Sequence, residues 1–194
     1  MSAPTRLVWR AAGWLQGARW CFSPNFGPRP ASTVVDLLVV HNISLPPGNY
    51  SGAWVEAFFQ NRLPSTVHPY FAEISALQVS AHFYIRRDGE LVQLVSTDAR
   101  AWHAGRSTWQ GRDNCNDFSL GVELAGSDGV AFTPAQYQTL WLLIAALRER
   151  YPLQAVAGHE HIAPGRKTDP GTGFAWAAVA ERYPELRLPS EVLL

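Results

Sequence analysis

The chain has 194 residues, with 16 Lys+Arg balanced by 16 Asp+Glu, so its formal net charge is zero and its length suits a single domain. That balance leaves no electrostatic footprint for a nucleic-acid backbone or an anionic membrane surface. With 47% apolar and 16% charged residues, the composition also excludes intrinsic disorder.

Read from the N-terminus, the first 20 residues carry Arg6, Arg10 and Arg19 and no unbroken apolar run of signal-peptide length. Two cysteines, Cys21 and Cys115, make no disulfide framework and suit a reducing compartment. A cytoplasmic location is therefore expected. The Pro/Asn/Gly-rich stretch before about residue 33 predicts an irregular N-terminal wrap on one domain spanning 1–194. Residues 34–43, VVDLLVVHNI, lack alternation and predict a strand covered on both faces. Pro46, Pro47 and Gly48 break the backbone, after which Trp54, Phe58 and Arg62 at i, i+4 and i+8 predict a short helix. Residues 82–95 hold two strand-like runs around Asp88-Gly89, which predicts a tight hairpin with positive φ at both turn positions.

Further along, residues 119–125, SLGVELA, alternate as a strand, with Leu120, Val122 and Leu124 on one face and Gly121 and Glu123 on the other. Thr133 caps and Pro134 opens a helix whose buried stripe is Tyr137, Trp141, Ile144 and Leu147, ending at Pro152. Its apolar run at 140–147 falls far short of the ~20 residues that span a bilayer. A short strand at 155–158 and a helix after Gly173 follow. The order of elements predicts an α/β (α+β) fold, a central mixed β-sheet flanked by α-helices.

Histidines carry the chemical signal. His41 ends the apolar strand, where open sheets place ligand-contacting groups. His159 ends the short strand, and Asp169 lies ten residues later in a Lys-Thr-Asp-Pro-Gly turn. Two imidazoles and one carboxylate are a recurrent catalytic zinc set with its fourth position open to water. His161, two residues from His159, competes for the same role if the segment is extended. His68 and His82 read as buried, hydrogen-bonded imidazoles, and Cys115 as a small buried hydrophobe.

Five stretches together carry a resemblance: VVHNISLPP (39–47), VSAHFYIRRDGELVQ (79–93), AWHAG (101–105), CNDFSLGVELAG (115–126) and GHEHIAPGRKTDPG (158–171). They resemble the zinc-dependent N-acetylmuramoyl-L-alanine amidases, and within them the cytosolic branch that recycles 1,6-anhydromuropeptides of peptidoglycan. The likeness begins at GWLQGARWCFSPNFGPRP (13–30) and runs to about residue 176.

The resemblance implies an amidase fold like that of peptidoglycan-recognition proteins. It implies Zn2+ held by His41, His159 and Asp169, with Glu123 and Lys167 catalytic. Glu123 suits a proton shuttle between water and leaving amine, and the Lys167 ammonium suits the charge of a tetrahedral oxyanion. Substrate contacts are expected at Asn42, Trp102, His103, Ala163 and Arg166, the last as a bidentate fork for stem-peptide carboxylates. The implied partner is a small muropeptide, with no nucleic acid, membrane or obligate protein partner. A second enzymatic reading, an exported amidase of intact murein, and a non-catalytic peptidoglycan-binding module are the rivals.

Overall fold

The computed structural model describes residues 4–190; the first three and last four residues of the expected domain lie outside the described residues. Four two-residue strands, β1 (Val8–Trp9), β2 (Leu15–Gln16), β3 (Arg19–Trp20) and β4 (Phe26–Gly27), precede the long strand β5 (Leu37–Ile43). Helices α1 (Trp54–Phe59) and α2 (Pro69–Ile74) lead into β6 (Phe83–Ile85) and β7 (Leu91–Gln93). Short strands β8 (Arg100–Ala101), β9 (Thr108–Trp109) and β10 (Arg112–Asp113) follow, then β11 (Ser119–Ala125) and α3 (Pro134–Arg150). Strand β12 (Ala155–Gly158), the single turn α4 (His159–Ile162) and α5 (Trp176–Arg182) come last.

Six strands form the main sheet in the order β12-β5-β11-β6-β7-β3. The first four run parallel, β7 is antiparallel to β6, and β3 is parallel to β7, so the sheet is mixed as expected. Strand β5 lies between two others and is buried on both faces, which is why its sequence shows no alternation. Its period of two still sorts its neighbours. Leu38 and Val40 join Leu120, Val122 and Leu124 against Leu140, Leu143, Ile144 and Leu147 of α3. Leu37 and Val39 face the other way, toward Ala104, Trp109 and Ile162.

The N-terminal wrap is less irregular than expected, because β3 closes the far edge of the sheet and β4 pairs with β8. Arg19 ties it down with a fork onto Glu56 (2.7 and 2.8 Å) and a further bond to Glu90 (3.0 Å).

Four local expectations need correction. The first helix stops at Phe59 instead of reaching Arg62, since Asn61 takes a left-handed φ of 58° and exchanges amide bonds with Asn25. The hairpin forms, but Arg86 N–H donates to the Glu90 carbonyl (3.0 Å), so three residues make the loop and of these only Gly89 has positive φ, +84°. Asp88 instead accepts from Glu90 N–H, the arrangement of a turn followed by a glycine bulge. In α3 the inward stripe is shifted at its start: Ile144 and Leu147 are fully buried as expected, joined by Leu140 and Leu143, whereas Tyr137 and Trp141 are half-buried and stack on each other. His68 is half-buried and caps α2, its Nδ1 accepting from Tyr70 N–H (3.1 Å).

Candidate metal centre

His41 and Glu123 are register partners across the parallel β5–β11 ladder, so their side chains share one face of the sheet. That face is opposite the Leu–Val rows packed under α3. β12 flanks β5 on the other side and delivers His159 as the first residue of α4. The chain then turns back, and Glu160 N–H donates to the Asp169 carbonyl (2.8 Å), which brings the Asp169 carboxylate beside both rings.

Three donor atoms meet there. His41 Nδ1 lies 3.0 Å from His159 Nδ1 and 2.9 Å from Asp169 Oδ2, and His159 Nδ1 lies 3.2 Å from the same oxygen. His41 and His159 are buried, with Asp169 slightly more open. His159 Nε2 donates to the Ala104 carbonyl (3.1 Å), which leaves its Nδ1 as a lone pair turned toward the other two donors. Three corners of a tetrahedron with bonds of about 2.0–2.2 Å lie about 3.3–3.6 Å apart, so these edges of 2.9–3.2 Å need open by only a few tenths of an ångström to take an ion. The set could hold a metal ion, and a cation between the donors offsets the repulsion of converging lone pairs. Burial, reinforced by His159, pushes His41 down to about 4, so at neutral pH it is an uncharged imidazole able to ligate.

Beside the trio, Glu123 is buried and its Oε2 has no hydrogen-bond partner among the described residues. Burial, with the Asp169 charge adding to it and Lys167 opposing, raises its carboxyl well above the ordinary range. An unpartnered buried carboxylate oxygen is costly unless something polar reaches it. The space it faces is a cleft of about 360 Å³. Its lining is polar at His41, His159, Asp169, Glu123 and Lys167 and apolar at Phe58, Phe59, Ile74, Leu77, Val79 and Trp102.

The structure distributes the expected substrate contacts unevenly. Asn42 and Trp102 line the cleft, although the Asn42 amide already donates to Asp128 Oδ1 (2.7 Å) and the Pro170 carbonyl (3.1 Å). His103 also lines the cleft, with its Nδ1 3.0 Å from His41 Nε2. Ala163 and Arg166 do not line the cleft; they border a neighbouring hollow. Arg166 donates to the Ala104 and Arg106 carbonyls (2.8 and 2.6 Å).

His161 is excluded from the trio because α4 is helical: two residues turn about 200° around the axis. Its Nδ1 accepts from Gly158 N–H (2.9 Å) and its ring meets Trp176 edge-on. His82 is fully buried and hydrogen-bonded as expected, accepting from Gly121 N–H and donating to the Ala99 carbonyl. Cys115 is likewise buried. Sequence reasoning missed Ser119 and Asn116, both buried against the His103 segment; nothing in their local pattern marks them.

Known proteins share this fold. The N-acetylmuramoyl-L-alanine amidase family model matches residues 31–172. The 1,6-anhydro-N-acetylmuramyl-L-alanine amidase AmpD of Escherichia coli K12 is 55% identical over 167 residues, which is 85% of this chain and 91% of that protein. A crystal structure of a selenomethionine AmpD derivative superposes with a TM-score of 0.84 at 53% identity, covering 88% of this chain and 96% of that one. A complex of E. coli AmiD with anhydro-N-acetylmuramic acid-L-Ala-D-γ-Glu-L-Lys superposes with a TM-score of 0.56 at 28% identity, covering 91% of this chain and 65% of that one. With a matching model over most of its length and relatives this similar, the chain belongs to the N-acetylmuramoyl-L-alanine amidase family.

Proposed function

We propose that this protein hydrolyses the amide joining the lactyl carbonyl of 1,6-anhydro-N-acetylmuramic acid to the L-alanine of its stem peptide, in peptidoglycan recycling. The observation that carries the reading is the meeting of His41 Nδ1, His159 Nδ1 and Asp169 Oδ2 beside the unpartnered Oε2 of Glu123. His41, His159 and Asp169 would hold Zn2+, and a zinc ion bound there supplies Lewis acidity toward a carbonyl and acidifies water.

The chain's own groups divide the remaining work. Glu123 takes the proton of the attacking water at a carboxylate oxygen and returns it to the departing alanine amine. Its burial supports this, because a base with a raised pKa is also a competent acid at neutral pH. Lys167, on the cleft wall, places its ammonium where the carbonyl oxygen gains negative charge. Trp102 and the apolar lining of the cleft offer a surface to the sugar, and Asn42 a polar edge to the peptide. Arg166 braces the Ala104 carbonyl from a hollow beside the cleft.

The substrate class is supported by the relatives' activity and by the AmiD complex. A cytoplasmic site of action is part of the proposal; among the described residues no helix is long and apolar enough to cross a membrane. The deciding experiment is mass spectrometry of products after incubation with anhydromuramyl-tripeptide. Free tripeptide and anhydro-N-acetylmuramic acid are expected, whereas intact substrate bound without cleavage would favour a recognition module. Faster release from intact murein sacculi than from the soluble compound would favour an exported amidase.

A further inference from the structure

Two consecutive residues between β8 and β9, His103 and Ala104, contact both imidazoles of the metal centre from behind. The Ala104 carbonyl can only accept, so its contact with His159 Nε2 places the proton of that ring on Nε2. His41 has no such plain partner, because its Nε2 faces another imidazole nitrogen, His103 Nδ1, at 3.0 Å. The contact alone does not fix which ring donates; the direction is set one step further on.

His103 Nε2 lies 3.3 Å from Ser119 Oγ, and that hydroxyl lies 2.5 Å from the Cys115 carbonyl. A carbonyl cannot give a proton, so Ser119 donates to Cys115 and its oxygen accepts from His103. His103 therefore carries its proton on Nε2, its Nδ1 is bare, and His41 Nε2 is the donor between them. Protons point one way, from His41 through His103 and Ser119 to the Cys115 carbonyl, and His41 Nδ1 is left as a lone pair toward the metal site.

The segment that does this is held firmly. Asn116 Oδ1 accepts from both His103 N–H (3.0 Å) and Ala104 N–H (2.8 Å), and Arg166 gives the Ala104 carbonyl a second donor. The His103 ring lies against β11 at Gly121, where a Cβ would come within 2.5 Å of the His103 Cγ. Only glycine admits a ring that close to the strand. His103 and Ser119 are both buried, which favours these bonds over exchange with water.

We propose that His103 is a positioning residue of the metal centre: its one-way relay to the Cys115 carbonyl locks His41 in the tautomer that presents Nδ1 to the metal, as the Ala104 carbonyl does for His159. This rests on the reading of His41, His159 and Asp169 as the metal ligands. It also moves His103 from a sugar contact to a support of the ligand.

Zinc affinity, measured by competition with a chromophoric chelator, tests the relay in wild type, His103→Leu and His103→Asn. Leucine fills the space without an acceptor, whereas asparagine keeps an oxygen near the place of Nδ1. His103→Leu is expected to bind zinc about 10–100-fold more weakly, and His103→Asn to recover most of that loss. Wild-type affinity in the leucine variant, or an asparagine variant as weak as leucine, overturns the proposal.

Long-range 1H–15N spectra of the wild-type zinc form read the same point whether or not the leucine variant folds. Protons on Nε2 of both His41 and His103 are expected, and a proton on Nδ1 of either ring overturns it. A wild type that binds no zinc sinks the reading of the centre and the relay with it. A zinc-binding wild type with an indifferent leucine variant sinks the relay alone.

Discussion

Glu123 and His41 are neighbours across one ladder, yet their removal should have different consequences. If Glu123 has the proposed role, Glu123→Ala takes away a proton carrier and no ligand, so zinc should stay stoichiometric by atomic emission while turnover falls about 10²–10⁴-fold. His41→Ala takes away a proposed ligand, and zinc and turnover should vanish together. Metal loss in the first variant, or a metallated active second variant, contradicts the assigned roles. The acidity of Glu123 gives a further test. Burial raises its carboxyl and Lys167 partly offsets this. The base must be ionised to work, so activity is lost as pH falls through the raised value, and the acid limb of kcat/KM should lie above the ordinary 4.5. Lys167→Met removes the cation that favours ionisation and should move that limb to higher pH; a limb that stays or falls belongs to another group.

At the scale of elements, α3 separates stability from chemistry. Its start is a capping box: Thr133 Oγ1 accepts from Gln136 N–H (3.1 Å), and Gln136 Oε1 accepts from Thr133 N–H (3.0 Å). The fully buried Leu143 belongs to the cluster on the sheet face opposite His41 and Glu123. Leu143→Ala should therefore lower unfolding free energy by about 2–5 kcal/mol, read from the urea midpoint at unchanged slope, with zinc stoichiometry unaffected. Loss of zinc in folded Leu143→Ala protein would show that the two faces are coupled. The short helices behave otherwise. α1 and α2 have six residues each, below the length at which a helix is stable by itself, and they persist because Phe58, Phe59 and Phe71 share a buried cluster with Tyr84 and Val92 of the sheet and with Leu94 just beyond β7.

For the whole molecule, the N-terminal wrap is fastened to the domain by charge as well as by the β3 edge. Burial disfavours the ionised form of Glu56, but the Arg19 fork outweighs it and holds the carboxyl below its ordinary value. A carboxylate with a lowered folded pKa adds stability above its unfolded value near 4.5, and that stability is lost as pH falls. Glu56→Gln should cost about 1–3 kcal/mol at pH 7, with the gap to wild type closing in acid; a constant gap from pH 7 to 3 would assign the loss to packing. The sequence by itself determined β5, β11, β12 and the capped start of α3, because apolar runs, alternation and a Thr-Pro cap act between near neighbours. Its long motifs also singled out His41, His159, Asp169 and Glu123. Only tertiary structure decided that three donor atoms 10 to 128 residues apart converge, since that depends on β5 lying between β11 and β12. It likewise decided that Arg166 braces a carbonyl, that α4 turns His161 away, and that His103 stands behind His41. Hydrogen-bond direction in such a relay is set by its last carbonyl, and no local pattern records which strand brings that carbonyl within reach.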